Sequence, residues 1–592
     1  MNIAKLSVFR PIAMGMVIIF ILIIGTVSLR NMPVDLFPDL TFPVAAVTVT
    51  YEGAGPEEVE NLLASPLENV MGTLPNVESI SSVSQNGGAL ILVSFEWGTD
   101  MDFATLNMRE QIDAVRDSLP SEVPIPKVLR FNPSDIPIMQ LGVAGSEEDL
   151  TAVKKVIEDQ IKPSLDSVPG VAAVTIEGQL EKEIRLTADP DKLSQYGVTL
   201  TNLQQLIGSE NLNLPSGSIE TENKNLPLRV TGEFKSVDDL KNLSVPTENG
   251  TVKLNQLVEI EEMMKPAVQE SFLNGEPAIG FSIQKQSGAN TVQVVKQVNE
   301  KLEEIQPSLP ENMEIKTVFD QAKFINQSIR AVVWNIIIGS ILAAAVLYLF
   351  LRNIRSTLII GLSIPISIVG AFILMYFSGQ TINLLTLGGL ALGVGMMVDN
   401  SIVILENIYR LRQEGNSLKE AAVEGTKEVG SAIIASTLTT VVVFLPIVFV
   451  TGLAAQLFKP LALAVTFSLL ASLFTALIIV PLLSSLLMNR NESKSIFQLK
   501  FDRVNNWYRR VLDKTLSHPK KTVGFTVLLL AISAAGTPFI GTEFLPAQDQ
   551  SFVNISANLP AGSSLDATEN VTEEIDNVLN SIPEVDLSYL TA

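Results

Sequence analysis

The chain has 592 residues, of which 47% are hydrophobic, and its mean hydropathy is +0.33. It is therefore too long for one ordinary domain and too apolar for an ordinary soluble protein. The formal net charge of -22 argues strongly against nucleic acid as a partner, and the absence of cysteine excludes disulfides, thiolate metal sites and a cysteine nucleophile.

Seven long apolar runs with at most one charged residue follow one another along the chain, and each is about long enough to cross a bilayer. They cover residues 12–29, 331–351, 357–377, 384–405, 432–450, 461–488 and 522–540. The first run follows Lys5 and Arg10 as a secretory signal would, but it is too long for one and lacks a clear cleavage site. We therefore interpret residues 1–30 as an uncleaved transmembrane helix 1.

The segment between the first two runs carries the pattern of a folded α+β domain. Alternating residues predict strands near 44–51, 89–97, 136–143, 172–178, 183–188, 278–286 and 314–319. Longer amphipathic patterns predict helices that begin near Pro56, Met101, Leu150 and Asn290. Strands and helices therefore alternate at the spacing of βαβ units.

A short motif recurs where predicted helices end: an apolar residue, Pro, any residue and Val, followed by a strand. It occurs at residues 74–77, 168–171 and 582–585. One copy would mean little, but three copies in the same context predict duplicated ferredoxin-like βαββαβ units.

The seven apolar runs contain one charged residue, Asp399, which lies in the fourth run. A charged Asp at the centre of a membrane helix costs roughly 2.5 to 3.5 kcal/mol, so such a residue normally faces a bundle interior or an aqueous cavity and is functional. Desolvation disfavours the ionised carboxylate, whereas a nearby cation favours it. A site that alternately desolvates and pairs Asp399 can couple protons to transport. The alternative is an Asp that stays neutral and only fixes helix packing.

Small and hydroxylated residues accompany Asp399. Gly389 and Gly393 have the GxxxG spacing that lets a neighbouring helix approach closely, and we expect a mirrored helix there. Hydroxyl groups that could relay water toward Asp399 lie on the fifth run, at Ser436, Thr437, Thr439 and Thr440. Ordinary intrahelical hydrogen bonding of these groups is the alternative.

The end of the chain repeats its beginning. The residues after the first apolar run form a Pro-containing acidic connector, an alternating strand, an Ala-Gly turn and a helix start, and residues 541–570 repeat this order. Such repeats are typical of two-halved transporters. Since the second copy stops at residue 592, we expect the chain to be one part of a longer or divided transporter.

The distribution of Lys and Arg predicts the orientation of the runs. With the N-terminus in the cytoplasm, the predicted inner connections hold the basic residues, most densely in 490–521, whereas of the predicted outer loops 378–383 has none and 451–460 has only Lys459. Residues 31–330 are then extracytoplasmic.

The string TINLLTLGGLALGVGMMVDNSIVILENIYR resembles the fourth-span signature of the resistance-nodulation-division (RND) transporters. The strings LSVFRPIAM, MPVDLFPD, YEGAGPEEVE and FLRNIRSTLIIGLSIPISIVG also resemble this family, and the order of elements agrees from residue 1 to residue 592. The resemblance is to the type that exports hydrophobic and amphiphilic compounds.

The resemblance implies a membrane α-helical bundle plus an α+β extracytoplasmic domain, with six transmembrane helices of a first repeat and the seventh of a second. Ferredoxin-like βαββαβ porter subdomains are inserted between helices 1 and 2. The implied divisions are porter subdomain 1 at 31–135, porter subdomain 2 at 136–195 and 271–330, a docking-like subdomain at 196–270, helices 2–6 at 331–490, a basic cytoplasmic connector at 491–521, helix 7 at 522–540, and a truncated second-half porter subdomain at 541–592.

The family also implies a function: proton-antiport efflux of amphiphilic small molecules by a homotrimer in the bacterial cytoplasmic membrane. The proton gradient is the energy source, so no cofactor is expected, and the partners are the lipid bilayer, the substrates and a periplasmic-type adaptor protein. Many members carry two consecutive acids in the fourth span, but Asn400 follows Asp399 here. This departure puts a two-carboxylate relay in doubt, and the family's lysine partner belongs to a later span beyond residue 592.

Other functions are also compatible with parts of the sequence. An accessory of protein export or envelope-lipid transport could use the same fold, and the chain could be an inactive or split half-transporter. Metal export would favour methionine ligands, but the pairs Met263–Met264 and Met396–Met397 are more typical of packing, so no metal site is expected. An enzyme finds little support, because Walker A, G-x-S-x-G and H-E-x-x-H motifs are absent and the chain has one histidine.

Overall fold

The structure is a computed structural model that describes residues 3–38, 40–145, 147–177, 182–221, 224–247, 250–265, 269–310, 313–351, 353–488, 498–539, 541, 552–560 and 562–592. Strands and helices alternate in residues 31–330, the predicted outer segment, and most of the described chain beyond this range is helical. The helices are α1 Ile3–Phe9, α2 Pro11–Asn31, α3 Pro56–Val59, α4 Ser65–Met71, α5 Met101–Ala114, α6 Glu147–Val156, α7 Lys162–Asp166, α8 Pro190–Gln195, α9 Leu200–Glu210, α10 Val237–Lys241, α11 Thr291–Ile305, α12 Gln321–Leu351, α13 Ile354–Phe377, α14 Leu384–Gln413, α15 Leu418–Phe444, α16 Leu453–Phe474, α17 Val480–Leu487, α18 Gln498–Ser517, α19 Pro519–Gly536 and α20 Leu565–Asn580.

The strands are short and mostly antiparallel. They are β1 Val44–Thr50, β2 Val77–Gln85, β3 Gly88–Phe95, β4 Lys127–Arg130, β5 Met139–Ala144, β6 Val171–Glu177, β7 Lys182–Ala188, β8 Asn213–Thr221, β9 Lys224–Thr231, β10 Ser244–Thr247, β11 Gly250–Lys253, β12 Val258–Met264, β13 Ser271–Leu273, β14 Glu276–Lys285, β15 Ile315–Asp320 and β16 Tyr589–Thr591. Wider π-helical turns lie at Glu60–Ala64, Ile157–Ile161 and Thr475–Ile479, where they join consecutive α-helices.

Contacts within the chain divide it into two compact units. The first consists of Met1–Ile138, Gln284–Gln297 and Asp320–Ala557, and the second of Met139–Ile283, Val298–Phe319 and Asn558–Ala592.

The first unit contains a four-stranded antiparallel sheet in the order β2-β3-β1-β4. The chain order is strand, helix, two strands, helix and strand, which is the βαββαβ pattern that the sequence predicts for this region. Alternate residues of β1, such as Ala45, Val47 and Val49, point to one face and are buried against the helices. Phe95 and Met71 are among the fully buried side chains of this core.

The second unit is built on a six-stranded sheet in which β15, β5, β14, β13 and β16 follow one another and β6 also pairs with β14. β16, near the end of the chain, pairs with β13. At this edge the Tyr589 hydroxyl lies 3.3 Å from both Glu177 Oε2 and Ser271 Oγ. Burial, together with the neighbouring Glu177 carboxylate, raises the pKa of Tyr589 to about 12.

Seven helical segments of the described residues are long and apolar enough to cross a membrane: Pro11–Asn31, Gln321–Val346, Ile354–Phe377, Leu384–Gln413, Leu418–Phe449, Leu453–Leu487 and Pro519–Phe539. Each overlaps one predicted apolar run. Four of these segments pack closely around α14, which contacts α12, α13, α15 and α16. The buried core of this bundle includes Ile360, Met397 and Ile404.

The predicted strands and helix starts in residues 31–330 are confirmed, with α6 beginning a few residues before its predicted position. Two local predictions were wrong. Lys459 was placed in a loop but lies in the second turn of α16, since Gly452 starts this helix and Pro460 fits inside it. The strand expected after the seventh run is not formed in residues 552–560, because no described strand pairs with that segment as β3 and β4 pair with β1.

Candidate functional site

Helix α14 carries Asp399 and has a firmly fixed start. The Asn383 side chain accepts hydrogen bonds from the backbone N–H groups of Leu385 and Thr386, at 3.0 and 2.9 Å, and the Thr386 hydroxyl accepts one from Asn383 N at 2.9 Å. This reciprocal capping box satisfies amide groups that would otherwise have no partner at the helix start. Asp399 lies 15 residues after Leu384, about 22 Å along the axis, which is halfway along the 30 residues of α14.

One face of α14 is packed against α16 through glycine. A Cβ atom at Gly389 would lie 2.7 Å from the carbonyl oxygen of Leu461 and 3.0 Å from Ala464 Cβ, and one at Gly393 would overlap the Ser468 hydroxyl. The predicted close approach is therefore present, but the neighbour is α16 of the same bundle rather than a mirrored helix.

The opposite face of α14 borders a cavity of about 810 Å³. Ala391, Gly395, Asp399 and Ile402 line it, and their spacing of four, four and three residues places them along one side of the helix. The other walls come from α12, α15 and Leu469. Because α14 is held against α16 by its glycine face, Asp399 is directed into the cavity.

Asp399 is exposed to this cavity and has no hydrogen-bond or ion-pair partner among the residues that the structure describes. Its neighbour Asn400 is half-buried and donates a hydrogen bond from Nδ2 to Thr437 Oγ1, at 3.2 Å. The cavity therefore presents one ionisable group beside an amide that links α14 to α15.

Three of the four predicted hydroxyl groups lie at the cavity and one does not. Ser436, Thr437 and Thr440 line it. Thr439 is absent from the lining, and its hydroxyl donates to Ala435 O at 2.6 Å, which is ordinary intrahelical bonding. Thr440 makes the same kind of bond, to Ser436 O at 3.1 Å, although it lines the cavity. The difference follows from helical geometry, because Ser436 and Thr440 are one turn apart whereas Thr439 points to another side.

Two polar features near this site were not predicted. Asn335 of α12 lines the same cavity, and the signal for it was an amide within an otherwise apolar run. Asn407, two turns after Asp399, donates from Nδ2 to Gly425 O at 2.8 Å and to Glu428 Oε2 at 2.9 Å. It ties α14 to α15 a second time. Within the described residues, no group of three or more His, Cys, Asp or Glu could hold a metal ion.

The sequence model of the AcrB/AcrD/AcrF family matches residues 3–592. The match covers α14 and every residue that lines the cavity.

Proposed function

The chain belongs to the AcrB/AcrD/AcrF family of RND transporters, and from this premise we propose that it exports hydrophobic or amphiphilic small molecules in exchange for protons, with Asp399 as the proton carrier. The family membership and the long apolar helices make it a multi-pass membrane protein of an efflux family.

The observation that carries the proposal is the position of the Asp399 carboxylate. It lies mid-helix, faces a cavity and has no cation paired with it among the described residues. A carboxylate in a wet cavity is stabilised in its charged form, whereas closing and drying the cavity favours the protonated form. A cavity that opens to each side of the membrane in turn would therefore move a proton with each cycle.

Asn400 supports a relay with a single carboxylate. An amide does not ionise, and its contact with Thr437 holds α14 against α15 beside the acid. We propose one proton-carrying side chain on α14, with Ser436, Thr437 and Thr440 ordering water around it.

The proposed setting is the bacterial cytoplasmic membrane, with the N-terminus inside. The basic residues of α18, such as Arg509, Arg510 and Lys514, precede the apolar helix α19 and support this orientation under the positive-inside rule. A homotrimer that works with a periplasmic-type adaptor protein is proposed from the family alone.

Proton-coupled transport can be measured in proteoliposomes that contain the purified protein and a pH-sensitive dye. In the wild type we expect an inward-directed substrate gradient to drive proton movement and an imposed pH gradient to drive uptake of a fluorescent amphiphile. The Asp399→Asn change keeps the size of the side chain but prevents ionisation, so both signals should fall to the level of protein-free vesicles. Asp117→Asn, at an exposed carboxylate of the outer segment, is the matched control and should behave as wild type.

Two results would count against the proposal. Retained proton-driven transport in Asp399→Asn would remove the role of this carboxylate. Wild-type protein that moves no amphiphile in the vesicles, while cells lacking the gene show secretion or envelope-lipid defects with normal dye accumulation, would favour a role in protein or lipid export.

A further inference from the structure

The connector between α2 and β1, residues 32–43, is bound to the segment that enters α14. Val34 and Ile382 form a parallel β-bridge. Three backbone hydrogen bonds flank it: Ile382 N to Pro33 O at 2.9 Å, Asp35 N to Ile382 O at 3.0 Å, and Leu384 N to Leu36 O at 3.3 Å. Met32 is buried among the outer ends of α13 and α14. The connector is therefore attached by these hydrogen bonds to the start of α14, the helix that carries Asp399.

The same connector is bound to the start of α11 through a buried ion pair. The Asp35 carboxylate accepts hydrogen bonds from the Lys285 ammonium group and from Thr291 Oγ1, the latter at 2.6 Å. Lys285 Nζ also donates to Ala289 O at 3.0 Å, and Thr291 N donates to Val34 O at 3.2 Å. The side chains of Asp35 and Lys285 are each 11% exposed.

This pair joins two elements of the outer segment to the connector, because Lys285 is the last residue of β14 and Thr291 the first of α11. A second contact fixes the connector farther along: Thr41 N donates to Gln456 Oε1 at 3.0 Å, and Gln456 Nε2 donates to Thr41 O at 3.1 Å. Gln456 belongs to α16, the helix that packs on the glycine face of α14. The connector thus touches both helices that set the position of Asp399.

A buried ion pair contributes little net stability, because the cost of removing two charges from water offsets most of their attraction. In some proteins such a pair fixes one geometry, since a displacement separates two buried charges. At this place in the fold, the pair connects the segment that is bridged to the start of α14 with β14 and α11.

We propose that Asp35, through Lys285 and Thr291, transmits the movement of α14 that follows protonation of Asp399 to β14 and α11. Asp35 and Lys285 act here as positioning residues, because neither lines the cavity that holds Asp399. The proposal rests on the proposed function of Asp399. It adds a route by which a change inside the bundle reaches the outer segment.

The transmission can be measured without a transport assay, because the chain has no cysteine and accepts a single label. Gln293→Cys, on the exposed side of the first turn of α11, would carry an environment-sensitive fluorophore in full-length protein in vesicles. We expect Asp399→Asn, which mimics the protonated form, to shift the emission of this label. The double change Asp35→Leu and Lys285→Met removes both charges together, which buried pairs usually tolerate, and should abolish the shift.

The control removes an exposed ion pair with the same chemistry. Lys182 and Glu262 are 3.3 Å apart, with side chains 60% and 52% exposed, so Lys182→Met with Glu262→Leu should leave the Asp399-dependent shift unchanged.

The charge-swapped variant, Asp35→Lys with Lys285→Asp, should restore at least half of the shift. If the double apolar variant does not fold, Thr291→Val keeps the ion pair and should reduce the shift by at least half.

A shift that survives in the folded double variant, or in Thr291→Val, would overturn the proposal. The proposal would also be overturned if Asp399→Asn caused no shift in the labelled Gln293→Cys protein with an intact Asp35–Lys285 pair. Failure of the proposed function would be a separate result. In that case vesicles with the wild-type protein would move no substrate under a pH gradient, independently of the emission of the label.

Discussion

The contact between α14 and α16 requires a position without a side chain at Gly389. At Gly389 the nearest atom that a Cβ would meet is a backbone oxygen, that of Leu461, which cannot rotate away. At the adjacent Gly388, nothing lies within 4 Å of the same atom. Packing therefore requires glycine at Gly389 but not at the neighbouring Gly388.

This difference predicts opposite results for the same substitution. Gly389→Ala should destabilise the bundle by about 1 to 3 kcal/mol, because α16 has to move away from α14. Gly388→Ala should be neutral or stabilising by up to about 1 kcal/mol, since alanine is the better helix former. Thermal unfolding of the detergent-solubilised protein, followed by fluorescence, would measure both. Equal melting temperatures for the two variants would contradict the packing described for Gly389.

Asp399 could be identified from the sequence because a charge in an apolar run is costly wherever the side chain points. The direction of its side chain could not be predicted, because that direction depends on which face of α14 packs against α16. The same limit explains why Asp35 was missed. Its importance comes from contact with Lys285 and Thr291, some 250 residues away in the sequence, and no local pattern indicates such a contact.

Helix α15 presents hydroxyl groups on more than one side. Thr437 is 3% exposed, lines the cavity and accepts the hydrogen bond from Asn400, whereas Thr439 is exposed and bonds to its own helix. Both are Thr in the same turn, so they form a matched pair for testing which face of α15 takes part in proton transfer.

Thr437→Val should lower proton-driven transport by about three- to tenfold, which corresponds to the loss of one hydrogen bond worth about 1 kcal/mol. Thr439→Val removes a hydroxyl from the same turn and should leave the transport rate unchanged. The proteoliposome assay with a pH gradient would measure both, with expression and melting temperature checked in parallel. A larger loss in Thr439→Val than in Thr437→Val would contradict the assignment of the cavity face.

Helices and strands of the outer segment were predicted well because their periodicity is local: one buried face repeats every two or 3.6 residues. The strand expected in residues 552–560 failed because a strand needs a partner, and pairing is set by distant residues. β1 has β3 on one side and β4 on the other, and the described chain provides no equivalent for the second copy. The helix start at Gly452 was missed because Pro460 suggested a later start.

At the scale of the whole molecule, the orientation depends on the distribution of Lys and Arg about the apolar helices. Positive charge near the ends of a span is retained in the cytoplasm. Arg410 and Arg412 lie in the last turn of α14, and Lys520 and Lys521 in the first turn of α19, whereas the loop between α13 and α14 has no basic residue. The loop at residues 378–383 should thus be outside, and the ends of α14 and α18 inside.

A cysteine-free chain allows this orientation to be tested one position at a time. Ser378→Cys, at the end of α13, should react with a membrane-impermeant maleimide in intact cells. Gln413→Cys, at the end of α14, and Ser517→Cys, at the end of α18, should react only after the membrane is permeabilised. All three positions are exposed, so a lack of labelling in intact cells reports the membrane barrier rather than burial. Labelling of Ser517→Cys in intact cells would place the end of α18 outside and contradict the proposed orientation.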